Sequence, residues 1–220
     1  NDSGHHYFIA NLTPNDVNAR IPLTVTMKDA RWFNPLNGEI YKTDINNEGI
    51  LVDLKSGESM ILQTYNNVLP TNDIEQIKFE GTEKQLTDKW SLRFVESEPA
   101  INSTYTLDNI QTWETLNNDT AKIMMGTGVY TTTVNMTKDE AKAKWAINLG
   151  DVRESARVYV NDNFVGCAWS VPFILDCKDA FKAGKNTLRI EVTNLPANRI
   201  SELDRQGVKW RKFDEINVVD

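Results

Sequence analysis

The residues best equipped for chemistry in this 220-residue chain crowd into one segment near its end. Asn198 to Trp210 runs N-R-I-S-E-L-D-R-Q-G-V-K-W. Arg199 and Arg205 supply forked guanidinium donors, Asp204 and Glu202 supply carboxylates, and Trp210 supplies an aromatic face. An aromatic face beside guanidinium donors and a carboxylate is what a polyol ligand requires. The same group would equally serve as a clasp tying the tail to a neighbouring domain. An ion pair of Asp204 or Glu202 with Arg199 or Arg205 accounts for the charges without catalysis. Two further aromatics stand in positions that could present a flat apolar surface. Trp113 sits in the irregular polar stretch Ile110-Gln111-Thr112-Trp113-Glu114, and Trp169 precedes the corner at Pro172.

Other chemistries find little support. Hydrolysis of a glycosidic bond needs two carboxyl groups held about 5–10 Å apart. Most of the Asp and Glu residues fall in turns or on polar strand faces, where solvated charge explains them. His5-His6 has no other His or Cys nearby in sequence to complete a metal site. No G-x-S-x-G nucleophile motif occurs. We therefore expect no catalytic residue, no metal centre and no cofactor. One structural option stays open: Asn161-Asp162-Asn163 and Asp176 offer oxygen ligands for calcium, although an Asp-Asn hairpin turn is complete without it.

Composition narrows the partners. With 24 Lys and Arg against 31 Asp and Glu the formal net charge is −7. The basic residues are scattered, whereas nucleic acid requires a basic stripe. No apolar run approaches the roughly 20 residues that span a bilayer. The chain starts Asn1-Asp2-Ser3, with neither an initiator Met nor an apolar signal region. That start reads as an excised piece of something longer, or as a mature chain after signal removal. Cys167 and Cys177 flank the Pro172 corner and could be bonded or be two free thiols.

The positioning elements are strands. Between Asn148 and Arg199 an alternating run from Arg157 to Val160 enters the Asn161-Asp162-Asn163 turn, and Phe164 to Trp169 returns. Ala183-Gly184-Lys185-Asn186 reads as a tight turn, followed by a period-two strand over Thr187 to Val192. Period-two alternation with polar turns at this spacing argues antiparallel sheets. Upstream, Tyr7 to Asn11, Ile21 to Met27, a Trp32 to Tyr41 hairpin around Asn37-Gly38, Ile50 to Leu54 and Met60 to Thr64 form a first β-rich block. Trp32, beside a turn, is expected to seal the contact with the next block. Residues 68–85 read as a connection, with a short strand possible over Ile74 to Phe79. The second block begins near Trp90-Ser91-Leu92-Arg93-Phe94 and includes Gly126 to Val134 and Lys144 to Leu149. Trp90, Trp145 and Tyr130 fall at inward positions. Lys138 to Lys144 and Asp179 to Lys182 are the two short helical stretches. The expected fold is all-β: a small sandwich over 1–67, a linker over 68–85, and a jelly-roll sandwich of roughly eight strands over 86–220.

Five motifs in order resemble a known family. W-x-L-x-F (Trp90 to Phe94), G-T-G-V-Y (Gly126 to Tyr130) and L-G-D-V-R-E-S-A-R-V-Y-V-N (Leu149 to Asn161) are followed by V-G-C-A-W-S-V-P-F (Val165 to Phe173) and L-x-I-x-V-T-N-L (Leu188 to Leu195). This order resembles the galactose-binding-like jelly roll that family 2 glycoside hydrolases and their relatives carry as a sugar-binding module. The tail from Asn198 to Phe213 is similar to the C-terminal region of family 106-like α-L-rhamnosidases of Bacteroidetes. The first block, with Y-F-I-A-N and W-F-N-P-L-N-G-E-I, is similar to the small β-sandwich that precedes the jelly roll there. The resemblance implies a non-catalytic, periplasmic or secreted portion of a glycoside hydrolase, whose catalytic carboxylates lie on a separate domain. Its partners would be the catalytic domain of the same parent chain and carbohydrate, contacted through Trp113, Trp169, Arg199, Asp204, Arg205 and Trp210. A free-standing carbohydrate-binding or adhesion module and a purely structural spacer are the alternatives.

Overall fold

The computed structural model describes residues 4–70, 81 and 83–209. The chain divides between Gly81 and Thr82 into two compact units. The strand expected over Ile74 to Phe79 lies outside the described residues, as does Trp210.

Unit one contains β1 (Gly4–Ala10), β2 (Val17–Ile21), β3 (Asp29–Phe33), β4 (Ile40–Lys42), β5 (Ile45–Asn46), β6 (Gly49–Leu54) and β7 (Ser59–Tyr65). They form two antiparallel sheets, ordered β1-β7-β3-β4 and β2-β6-β5. Alternation on each strand turns Ala30, Trp32, Met60 and Leu62 of one sheet toward Ile50, Val52 and Leu54 of the other, giving one shared core. Trp32, expected to seal a contact between blocks, is thus a core residue of its own unit. The Ser56-Gly57 turn carries the chain from one sheet to the other, because β6 and β7 are consecutive in sequence yet belong to different sheets. Ile21 to Met27 is not a strand. The ladder of β2 with β6 ends at Ile21, and Pro22, which has no N–H to donate, follows it. Asn11 stitches the first loop: its Nδ2 donates to the carbonyls of Asn15, Leu54 and Lys55, and its Oδ1 accepts from Thr13.

Unit two contains β8 (Trp90–Glu98), β9 (Tyr105–Leu107), α1 (Asp119–Ile123), β10 (Met125–Met136), β11 (Ala146–Asn148), β12 (Ser155–Val160), β13 (Asn163–Ala168), β14 (Ile174–Asp176), β15 (Gly184–Thr193) and α2 (Ala197–Arg205). Its main sheet is antiparallel, in the order β13-β12-β15-β10-β8-β9, and β11 pairs with β14 in a second, small sheet. The inner face of the main sheet presents Trp90, Leu92, Phe94, Tyr130, Val134, Val158, Val160, Leu188 and Ile190, and Trp145, Ile147 and Leu175 pack against them from the small-sheet side. The predominantly β chain is an all-β sandwich, as its alternation predicts.

Two glycines of the G-T-G-V-Y motif are explained by close approach. Met125 pairs with Glu98 but Thr127 pairs with Val95, so β8 carries an extra residue. Glu96 takes the bulge in the left-handed region at φ 54. A Cβ on the facing Gly126 would lie 2.7 Å from the Glu96 carbonyl oxygen, and one on Gly128 would lie 2.7 Å from the Trp113 ring. The β12–β13 hairpin closes between Val160 and Asn163, and Asn161 and Asp162 both take positive φ, 51 and 62. This is the two-residue turn whose twist matches the strands it joins.

Three local expectations fail. Gly184 to Asn186 is not a turn between strands but the start of β15, paired with β10. The Asn186 side chain, accepting from Lys182 N–H and donating to the Lys182 and Gly184 carbonyls, closes the turn from inside the strand. Asp179 to Lys182 is non-helical, whereas Lys138 to Lys144 does contain a 3-10 turn, Glu140–Lys142. Both α-helices went unforeseen because neither has a sustained apolar stripe. Asn118 caps α1 through Thr120 N–H. Pro196 precedes α2, where its missing N–H costs nothing. Gly207, at φ 69, ends α2: Gly207 N–H reaches the Asp204 carbonyl and Val208 N–H that of Leu203, the hydrogen-bond pair of a Schellman cap.

Candidate functional site

The segment richest in chemistry is a helix clasped to its own unit. Arg199, on the first turn of α2, is mostly buried and places Nη2 3.1 Å from Glu98 Oε1 at the end of β8. Asn198 Nδ2 donates to Glu114 Oε1 at 2.7 Å. Arg205 pairs with Glu202 on the same helix at 2.9 Å, and Asp204 stands on the exposed side of α2. The structure therefore brings Arg199 to Glu98 and Arg205 to Glu202 as separate pairs. Asn194 anchors the approach to α2: its Oδ1 accepts from Gly126 N–H and its Nδ2 donates to the Met124 carbonyl.

Trp113 is not a loop platform. It begins a 3-10 turn, Trp113–Thr115, and only 6 % of it is exposed. Its ring stacks on Tyr130 with centroids 6.5 Å apart and meets Phe94 edge-on at 5.8 Å. The polar residues around it face out while the indole fills the gap left by Gly128. Below this cluster Tyr130 donates its hydroxyl proton to the Gln111 carbonyl at 2.9 Å. Burial pushes that phenol well above the ordinary tyrosine range.

The oxygen-rich turn is occupied by protein partners. Asn161 Oδ1 accepts from Thr187 N–H and Asn161 Nδ2 donates to Asn186 Oδ1 at 2.8 Å. Asp176 Oδ1 accepts from Lys178 N–H. Among the described residues no group of three or more His, Cys, Asp and Glu gathers as a metal site would need. Both cysteines are free thiols. Cys167 is exposed on β13, while burial, aided by the nearby Asp176 charge, pushes the Cys177 thiol up to about 12.

Trp169 behaves differently from Trp113. It follows β13 directly and is 60 % exposed. On the same edge strand Phe164 is 59 % exposed, and its ring meets Tyr159 on β12 at 5.4 Å. The Arg189 guanidinium from β15 lies 3.9 Å over the Tyr159 ring and is itself paired with Glu191 and, at 3.8 Å, with Asp162. Register places Arg157 opposite Cys167 on one side and Glu191 on the other, on this same outer face. The exposed Arg157 has no ion-pair partner among the described residues. Sequence reasoning passed over Phe164, Tyr159 and Arg189. Their signal was strand parity: Val158 and Val160 point inward, so Arg157 and Tyr159 must point outward.

Unit two is thus a β-sandwich with exposed aromatic side chains along its β13 edge and a helix clasped to it. Residues 110–219 match the family described as glycosyl hydrolase 2 galactose-binding domain-like. That is half of the chain, and the chain belongs to this family. It is 27 % identical over 228 aligned positions to a protein of Formosa agariphila named "Putative beta-glucuronidase", covering 96 % of this chain and 19 % of that one. Among solved structures, a rhamnosidase from Novosphingobium sp. PP1Y superimposes with a TM-score of 0.74 at 22 % identity, over 95 % of this chain and 20 % of that one. This likeness shows the shared fold. The chain thus spans about a fifth of the length of these two glycosidases.

Proposed function

We propose that this chain is a non-catalytic accessory portion of a larger glycoside hydrolase, buttressing the catalytic domain of the same parent chain and holding carbohydrate near it. The observation that carries this reading is the pairing of a galactose-binding-like family match with relatives about five times as long. The same reading puts the protein in the periplasm or outside the cell, where polymeric glycans are met. The binding role draws on exposed aromatic rings on a rigid sheet, because pyranose rings offer apolar C–H faces to such rings and hydroxyls to neighbouring donors.

The test uses the 220-residue chain itself. Incubated with aryl β-glucuronides and aryl α-L-rhamnosides it should release no aryl group, and hydrolysis in proportion to added protein would overturn the accessory role. Calorimetric titration with galactose- and rhamnose-containing oligosaccharides should give binding heat. No heat with any glycan would remove the carbohydrate part and leave the buttress alone.

A further inference from the structure

We infer that the outer edge of the jelly roll, along β13 and the adjoining face of β12, is a binding strip for an extended glycan chain that carries acidic groups. This deepens the carbohydrate-binding role and rests on it. Three observations converge. Phe164, near the start of β13, and Trp169, just past its end, are the large apolar side chains most exposed on this edge, each about three-fifths open to solvent. A strand rises about 3.3 Å per residue, so five residues separate the two rings by roughly 13–16 Å once the bulge at Val158/Tyr159 is allowed for. A monosaccharide cannot bridge that distance, whereas a chain of sugars lying along the strand would stack on both. Between the two rings the outer face presents Arg157.

The charge arrangement names the ligand class. Arg189 is neutralised by Glu191 and Asp162, and its guanidinium is spent on the Tyr159 ring. That contact fixes Tyr159, which in turn supports Phe164 from the side. Arg157 keeps an uncommitted planar donor fork, and such forks pair best with a carboxylate or a sulfate. Its cross-strand neighbours are the small Cys167 on β13 and, on β15, Glu191, whose carboxylate is taken up by Arg189. In a chain of net charge −7, a free cation flanked by two stacking rings selects locally for an acidic sugar where the overall field would repel one.

The experiment is calorimetric titration of the intact chain at low ionic strength with three probes: oligogalacturonate, a sulfated carrageenan oligosaccharide and a neutral galactan oligosaccharide. At least one acidic probe should bind roughly tenfold or more tightly than the neutral one, with the advantage falling as salt screens it. The two acidic arms tell carboxylate from sulfate. Phe164→Ala and Trp169→Ala should each weaken binding by roughly tenfold, with unchanged thermal unfolding since both rings are mostly solvated. Arg157→Gln should abolish the preference for the acidic probes and leave the neutral affinity alone. Capping the exposed Cys167 with a bulky maleimide should block binding, and the same reagent on Cys167→Ser should not. Equal binding of neutral and acidic probes, unaffected by Arg157→Gln, would overturn the acidic class while carbohydrate binding stands. Binding indifferent to Phe164→Ala, Trp169→Ala and the maleimide would overturn the location. Silence with every glycan would sink the strip together with the binding role it rests on.

Discussion

Trp113 and Trp169 make an instructive pair. Trp113 sits in an irregular polar stretch and Trp169 at the end of a returning strand just before the Pro172 corner, and each was a candidate platform on its residue type. One is wrapped by Phe94, Tyr130 and the space of Gly128 and is 6 % exposed; the other stands 60 % exposed beside an edge strand. The difference lies in what the neighbouring strands supply. The inner face of the main sheet has a glycine where a large ring can settle, so Trp113 becomes core. On the edge strand Phe164 and Cys167 are themselves exposed, and the indole of Trp169 stays in solvent with them. A tryptophan in a loop is therefore a site or a plug according to the face of the sheet it lies over.

Mutations on the two sides should separate these roles. Trp113→Ala should cost about 3–5 kcal/mol, measured by urea unfolding, while Trp169→Ala stays within about 0.5 kcal/mol. Similar losses for both would break the comparison. Asn186 is next: it is 1 % exposed, and Asn186→Ala strands the Lys182, Gly184 and Val134 carbonyls. About 2–3 kcal/mol should be lost in the same assay. Gly128→Ala sharpens the point at Trp113, since the added methyl must push the ring. A cost of about 1–3 kcal/mol is expected, together with altered near-ultraviolet dichroism from the indole.

Smaller effects follow at the surface. The Lys84 ammonium and then Thr137 N–H hold the Glu140 carboxyl down to about 2. A depressed carboxyl contributes stability above its unfolded value of about 4.5 and loses it as pH falls toward about 2. In Lys84→Met the Glu140 titration, followed by nuclear magnetic resonance, should move up toward the ordinary range, flattening the pH dependence of unfolding in that window. The smallest perturbation is chemical labelling. Ellman's reagent should titrate one thiol of the native chain, Cys167, and both after denaturation. Two rapid equivalents in the native state would show that the interior around Cys177 is not closed.

The alternating strands and the Asn161-Asp162 turn were legible because parity and turn chemistry are local. The inward faces of Trp90, Tyr130 and Trp145 could be read for the same reason. The helix at Ala197–Arg205 was not, since its start rests on Pro196 and its end on Gly207 rather than on an apolar stripe. Its charged residues had the right types for a ligand site, but residue types do not say which carboxylate a guanidinium will meet. Arg199 went to Glu98, 101 residues away in sequence. Asn186 is the clearest case of the opposite kind. Its place before a strand suggested a turn, and only the fold shows it reaching back to tie the turn, the β12–β13 hairpin and β10 at once.

Period-two alternation and turn residues act within a few positions, so the chain's antiparallel sandwich character is written locally, while the galactose-binding-like resemblance rests on the order of its five motifs. Tertiary structure decided which strands share a sheet, as with β6 and β7, and which aromatic is buried and which offered. It also left Arg157, between Phe164 and Trp169, without an ion pair among the described residues, while Arg189, two positions from Glu191, was neutralised. Those outcomes depend on cross-strand register and on the space available over each face, and both are set by residues far apart in the chain.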